Sequence, residues 1–460
     1  MVHPGQEAEN TMKIRPVILA ALALAWASSA QAAGARSITQ YAMTWTLDKP
    51  CTVGQFATGD WWIVGPVTVR SVEPAPEPGR NGSVVNPAAG REQGYDDRIA
   101  GFDAALRASF PLQLKPGQSL VSTHSLAKVG DRTADTVPGQ YARGPLRTAV
   151  VLTCLEKAPP ADAFRPPFVG ADKPAFTVSQ LRRDLLPRLA CSAPLPDRKS
   201  LERNLQRIWL DHLADWVGRN MHPLENMPDY GRELTTITSQ TGLVLLLDDP
   251  KGENETLLAR FVQLGIDLYG MACSYDKLWP ANGGHCSGRK WPILFAGLML
   301  DNPDMANVKA LFAEDEQTYY GEGYRGQKAL WQIHPGLQHE HLPPEKWKGP
   351  PFKGDNDGRK SEGYRHLNGP TWIGQALAAR LMGARRNWNH DAFFDYVDRW
   401  WKEEVESGQG DAKQTTGAAG GPFVQALWKN YRGKADEIGA AVEAKRPRTT
   451  AGANQPATRP

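Results

Sequence analysis

The feature that most constrains this chain is a change of hydrophobic period near residue 177. Before it, aromatic and β-branched residues come in short runs. These are Tyr41 to Leu47, Trp61 to Val64, Val67 to Val69 and Thr148 to Cys154, separated by polar Gly/Pro-rich stretches. After it, apolar residues recur at helical spacing, as in Leu257, Leu258, Phe261, Leu264 and Leu268, or Phe393, Phe394, Val397, Trp400, Trp401 and Val405. Two periods in one chain predict an α+β multidomain protein: a β-sandwich-like domain over 37–156 followed by a helical domain over 160–432. Thr177 to Gln180 has the spacing of a capping box and opens an apolar stretch through Leu189. Helices are expected over about 197–219, 232–248, 253–271, 287–300, 370–382, 390–406 and 421–431, with Pro370 placed to start its helix. Helical hairpins joined by long loops, with 44 Gly and 36 Pro in 460 residues and no fixed-length repeat, favour an incomplete α/α toroid over a solenoid. The centre of such a toroid is a groove.

The ends carry different signals. Met12-Lys13-Ile14-Arg15, the apolar run Pro16 to Trp26 and Ala30-Gln31-Ala32 predict a signal peptide over 1–32, and export to a periplasm or beyond the cell. Residues 433–460 are Ala-rich, then basic and Pro/Thr-rich, and read as a disordered tail. With 53 basic against 50 acidic residues, the charge of +3 argues against a nucleic-acid binder. No run of about 18 apolar residues follows residue 30, so no membrane span is expected. Five cysteines are too few for a disulfide scaffold. Cys51 could pair with Cys154, or Cys273 with Cys286, and no C-x-x-C motif points to zinc or redox work.

Polar residues able to carry chemistry fall in four clusters, all in the helical half. Glu225 to Glu233 delivers Tyr230, Arg232 and Glu233 just before a helix, either as a pocket wall or as a cap with a surface ion pair. Trp279 to Pro292 sets Asn282, His285, Arg289 and Lys290 among three glycines and two tryptophans. There Arg289 can fork onto a carboxylate, Trp279 can face a sugar ring, and His285 can titrate near neutrality. Its glycines fit neither phosphate-loop nor dinucleotide fingerprints, and Gly284-His285-Cys286-Ser287-Gly288 is not G-x-S-x-G. Phe312 to Arg325 alternates acids with Tyr319 and Tyr320, a candidate carboxylate pair with aromatic neighbours or a solvated acidic loop. The fourth cluster runs from His334 through His339-Glu340-His341 to Tyr364-Arg365-His366. The histidine spacing is not H-E-x-x-H, so no metal is assigned, which leaves room for a structural divalent cation and no other cofactor.

In residue type and expected architecture, over roughly 160–432, the chain resembles the α/α-toroid polysaccharide lyases, the alginate-lyase and heparinase-like group. A β segment placed before the toroid departs from that group's usual order. The resemblance implies β-elimination on a uronic-acid-containing polysaccharide. Asn282, His285 and Arg289 would neutralise the carboxylate, and Tyr364, with His366 beside it, would act as base or acid. Lys290, Trp279, Arg232, Tyr230, Glu233, Tyr319, Tyr320 and Arg365 would contact the substrate. Charge sign agrees: Arg289, Lys290, His285, Arg365 and His366 suit an anionic sugar and developing enolate charge. Two alternatives stay open. One is a glycoside hydrolase using a pair among Asp229, Glu233, Glu314 and Asp315; the other is a carbohydrate-binding protein without catalysis.

Overall fold

The computed structural model describes residues 32–138, 143–343, 346, 361–407 and 421–447. The proposed export segment, apart from Ala32, lies outside them. Eight strands come first: β1 (Ala32–Gln40), β2 (Met43–Gln55), β3 (Trp61–Val64), β4 (Val67–Glu73), β5 (Ser83–Val85), β6 (Leu112–Leu114), β7 (Ser119–Ser125) and β8 (Leu146–Leu155). They form one sheet in the order β5-β7-β8-β3-β2-β4-β6, with β1 also paired to β2. The expected two-layer sandwich is therefore corrected to a single curled sheet. The long β2 causes the curl, pairing with β4 through Thr44 to Leu47 and with β3 through Val53 to Gln55. The curl encloses its own core of Ile38, Trp45, Val53, Ile63, Val69, Leu114, Val150, Leu152 and Cys154.

Strand β8 faces two cores. Val150, Leu152 and Cys154 point into the curl, while Ala149 and Val151 join the core of the helical part. Burial on both faces is why Thr148 to Cys154 reads as an unbroken apolar run rather than an alternation. A buried ionic joint adds to this shared packing. Arg165 donates to Asp60 of the β2–β3 turn (Nε, 2.7 Å) and to both oxygens of Asp267 (2.9 and 2.5 Å).

The helical part contains α1 (Arg198–Leu205), α2 (Gly231–Leu245), α3 (Glu255–Ser274), α4 (Lys290–Met299), α5 (Pro303–Ala306), α6 (Ala313–Gln317) and the hairpin β9 (Thr318–Tyr320) with β10 (Ala329–Trp331). It continues with α7 (Ser361–Leu381), α8 (Arg385–Trp388), α9 (Asp391–Trp401), α10 (Gly421–Tyr431) and α11 (Ala435–Glu443). Helix α2 packs along α7 and α3 along α4. None of the described helices is long and apolar enough to cross a membrane.

Four local expectations are corrected. The 197–219 helix stops at Leu205. The stretch through Leu189 forms two short 3-10 turns instead of a helix, because Pro187 disfavours helical backbone at Leu186. Helix α7 starts at Ser361 and holds Pro370 inside, so Tyr364, Arg365 and His366 lie on a helix rather than a loop end. A proline costs one backbone hydrogen bond there, and the fully buried face of Trp372, Ile373, Ala376 and Leu377 offsets it. Finally, α11 replaces the start of the expected tail, burying Ala435 and Val442 while Asp436 accepts from the buried Arg380 at 2.9 Å. All five cysteines are free, so neither suggested pairing is formed.

Candidate functional site

The turn Gly283-Gly284-His285 is the centre of the site, and small residues make it so. A Cβ on Gly284 would run into the Tyr230 phenol, and one on Gly231 would strike the His285 carbonyl. Gly283, at φ +56°, would place a Cβ 2.8 Å from Cε1 of Tyr364. Both phenol rings thus rest on the backbone of one turn. The turn itself is fixed from behind: Asn368 Nδ2 and Gln317 Nε2 donate to the Gly283 carbonyl at 2.8 and 2.7 Å. Asn368 lies one helical turn after Tyr364 on α7, so one face of that helix both braces the turn and lays a phenol upon it.

The imidazole of His285 meets the Tyr230 ring edge-on with centroids 4.6 Å apart, and the Trp216 ring lies 6.2 Å away. Trp216 is 40% exposed, and the Arg219 guanidinium sits 5.1 Å from its ring centroid. Asn282 donates through Nδ2 to Asp215 at 3.2 Å. Arg232 pairs with Glu233 at 3.0 Å and lies over the Tyr230 ring. His285, Asn282, Tyr230, Arg232, Glu233 and Tyr364 are therefore one neighbourhood, built from three segments far apart in the chain.

Below this surface lies a buried ionic triad. The Asp211 carboxylate accepts from Arg289 Nε at 2.7 Å and from its Nη2 at 3.1 Å, and His222 Nε2 lies 3.0 Å from its Oδ1. His222 Nδ1 lies 2.9 Å from the Pro228 carbonyl oxygen, and Arg289 Nη1 donates to the Ser287 carbonyl at 2.6 Å. The triad thereby clamps both loops, the one ending at Tyr230 and the one following His285. Arg289 and His222 hold the Asp211 carboxyl far below the usual carboxylate range despite its burial. Burial, helped by Arg219, Arg289, Arg143 and His222, depresses His285 to about 3, so its imidazole is neutral at ordinary pH. Its Nδ1 is buried with no hydrogen-bond partner among the described residues. Burial first, and then the neighbouring Tyr364, push the Tyr230 phenol upward, so Tyr230 keeps its proton. An unprotonated base and two phenols, with guanidiniums beside them, can move a proton on an anionic ligand.

Other expected site residues are elsewhere or already committed. Arg289 is 3% exposed and spent on Asp211, so it cannot meet a ligand's carboxylate. Lys290 is buried against Asp315 (2.5 Å) and the Trp388 carbonyl (2.6 Å). Trp279 is buried and stacked on Phe312, so it offers no face to a sugar. Helix α7 splits the trio: Tyr364 faces the turn, whereas Arg365 pairs with Glu340 (3.2 Å), Glu403 and Glu404, and His366 approaches Glu404 at 3.3 Å. Tyr319 and Tyr320 belong to β9. The Tyr320 hydroxyl donates to Asp395 at 2.7 Å, and the half-buried Tyr319 phenol is raised to about 12 by burial and by Glu340.

The acids of the third cluster are structural as well. Glu314 accepts from Gly288 N (2.7 Å) and Gln375 (3.0 Å), Asp315 from Lys290 and Trp388, and Glu316 from Ala281 N (2.7 Å). Among the described residues no group of three or more His, Cys, Asp or Glu could hold a metal ion. Sequence reasoning missed Trp216, Arg219, Asp211, His222 and Arg143. Trp216 and Arg219 fall within the expected 197–219 helix, which ends at Leu205, and a separate 3-10 turn over Trp216–Met221 carries them instead. No protein-family model, curated protein or solved structure matches the chain.

Proposed function

We propose that the protein is an exported polysaccharide lyase that cleaves a uronic-acid-containing polymer by β-elimination, and that its helical part is an incomplete α/α toroid with this site in its groove. The observation that carries the reading is the meeting of a neutral imidazole and two phenols on the Gly283-Gly284 turn, with Arg219 among the groups that act on the imidazole. Hydrolysis would call for two opposed carboxylates, and Glu314 and Asp315 are both engaged in holding the fold.

In this mechanism Arg219 and Asn282 face the sugar carboxylate and Trp216 supports a ring. Burial depresses His285 most and the neighbouring cations add to it; the arriving carboxylate offsets the cations' share, which raises the basicity of the imidazole. His285 takes the C5 proton. The electron pair of that C–H bond forms the C4–C5 double bond as the C4–oxygen bond breaks, and Tyr364 donates a proton to the departing oxygen. The test is product analysis with alginate, glucuronan and a glycosaminoglycan. An ultraviolet-absorbing unsaturated end, absent with His285→Ala and Tyr364→Phe, is expected. New reducing ends without that absorbance would replace elimination with hydrolysis, and binding without cleavage would leave a carbohydrate-binding protein.

A further inference from the structure

The sheet half of the protein is joined to the site by more than a shared core. Between β7 and β8 the chain returns along the loop that leads into Tyr230. Val137 N donates to the Leu224 carbonyl at 2.8 Å, Leu224 N to that of Leu146 at 3.0 Å, and Glu225 N to that of Arg147 at 3.2 Å. Gly144 lies directly on the backbone that follows Arg219. A Cβ there would stand 2.9 Å from the Asn220 carbonyl oxygen and 3.1 Å from that of His222. Arg143, the preceding residue, is exposed, one position before this contact, and its charge acts on His285.

Four groups act on His285: the guanidiniums of Arg219, Arg289 and Arg143, and the imidazole of His222. Two of them are closed off, since Arg289 and His222 are buried on Asp211. Arg219 stays half-buried over the exposed Trp216, and Arg143 reaches solvent. The acids on the same side are Asp215, which accepts from Trp216 N (2.7 Å) and Asn282, Glu233, which accepts from Arg232, and the buried Asp229. The phenols of Tyr230 and Tyr364 complete the surround.

We propose that Arg143 is a specificity-determining residue of this site, carried in by the β-sheet half to read the carboxylate of an acidic sugar together with Arg219. The inference rests on the reading of the site as one for uronic acids. A guanidinium meets a carboxylate with two parallel hydrogen bonds, a geometry that a lysine in its place lacks. The curled sheet is then one wall of the binding site.

The experiment measures binding of tetrasaccharides of mannuronate, of glucuronate and of a glycosaminoglycan, each beside its carboxyl-reduced neutral counterpart. Titration calorimetry is run on wild type, Arg143→Gln and Arg143→Lys. Each protein is also melted, so that a loss of folding is seen as such. For the acidic ligand that wild type binds, Arg143→Gln is expected to raise Kd about tenfold or more, the usual loss for a charged hydrogen bond. Arg143→Lys should recover part of that loss, the salt dependence should weaken in Arg143→Gln, and the neutral counterpart should bind all three proteins alike. Wild-type affinity for the acidic ligand in a folded Arg143→Gln protein overturns the role of Arg143 while leaving the uronic-acid reading intact. Failure of wild type to prefer any acidic ligand over its neutral counterpart overturns that reading itself, and this inference with it.

Discussion

The Asp211 triad is where one change should undo the site from beneath. Asp211→Asn keeps the shape of the side chain but replaces a charged acceptor oxygen with an amide NH2. Either Arg289 or His222 must then lose its partner, and Arg289, with a side chain only 4% exposed, is left without a counter-charge. Removing one member of a buried ion pair costs about 3–5 kcal/mol, most of it the desolvation of the stranded charge. For a chain of this size that corresponds to a fall in Tm of about 3–6 °C. Denaturant unfolding of wild type, Asp211→Asn, Arg289→Met and the double variant would measure it. The double variant should be less destabilised than the two single losses added together, because the stranded charge is gone. A loss below about 1 kcal/mol in Asp211→Asn, or full additivity in the cycle, would refute the clamp.

Three further outcomes follow from the same residues. His212 is wholly buried and lowered to about 4 by burial, and burial likewise lowers His339 to about 4 and His285 to about 3. Each folded-state value lies below that of an unfolded histidine, about 6.5, so the unfolded chain binds more protons. Stability is complete above that value and falls as pH drops towards 4, His212 alone contributing a loss of about 2 kcal/mol by pH 5 in urea titrations; equal stability at pH 7.5 and pH 5 would contradict its burial in the neutral form. Gly284→Ala drives a methyl group into the Tyr230 phenol and should remove most turnover while the far-ultraviolet circular dichroism stays native; a fully active alanine variant would show that the phenol does not rest on the turn. Deleting 435–460 strips Arg380 of Asp436 and uncovers one side of α7, so the melting temperature should fall by several degrees, as seen by calorimetry, and no fall would return this segment to the status of a tail.

Much of the fold was legible because period reports burial directly. The helices at 231–245, 255–274, 391–401 and 421–431 match their apolar spacing to within a few residues. The sandwich was misread because one strand, β2, pairs with β3 at one end and β4 at the other, and because β3 joins the distant β8 (Trp61 with Leu152); nothing in Met43 to Gln55 announces either. Helix α11 was hidden by its alanines, which resemble a low-complexity tail until Asp436 is seen to meet Arg380.

In the site, residue types were a better guide than residue directions. Tyr364 does lie on the turn that carries His285, against the Gly283 backbone, but Arg289 and Trp279 turn inward and Arg365, about 100° further round the helix, is claimed by Glu340, Glu403 and Glu404. Sequence spacing says which residues are close in the chain. It does not say which charged group will be claimed by a partner such as Asp211, seventy-eight positions before Arg289.

The most direct test of elimination is the mass balance of a single cut. A defined uronate oligosaccharide is digested in water enriched in oxygen-18 and the two fragments are weighed by mass spectrometry. Elimination predicts fragments whose masses sum to that of the intact substrate, with no heavy oxygen in either. Fragments that sum to the substrate plus one water, with the label in the new reducing end, would contradict it.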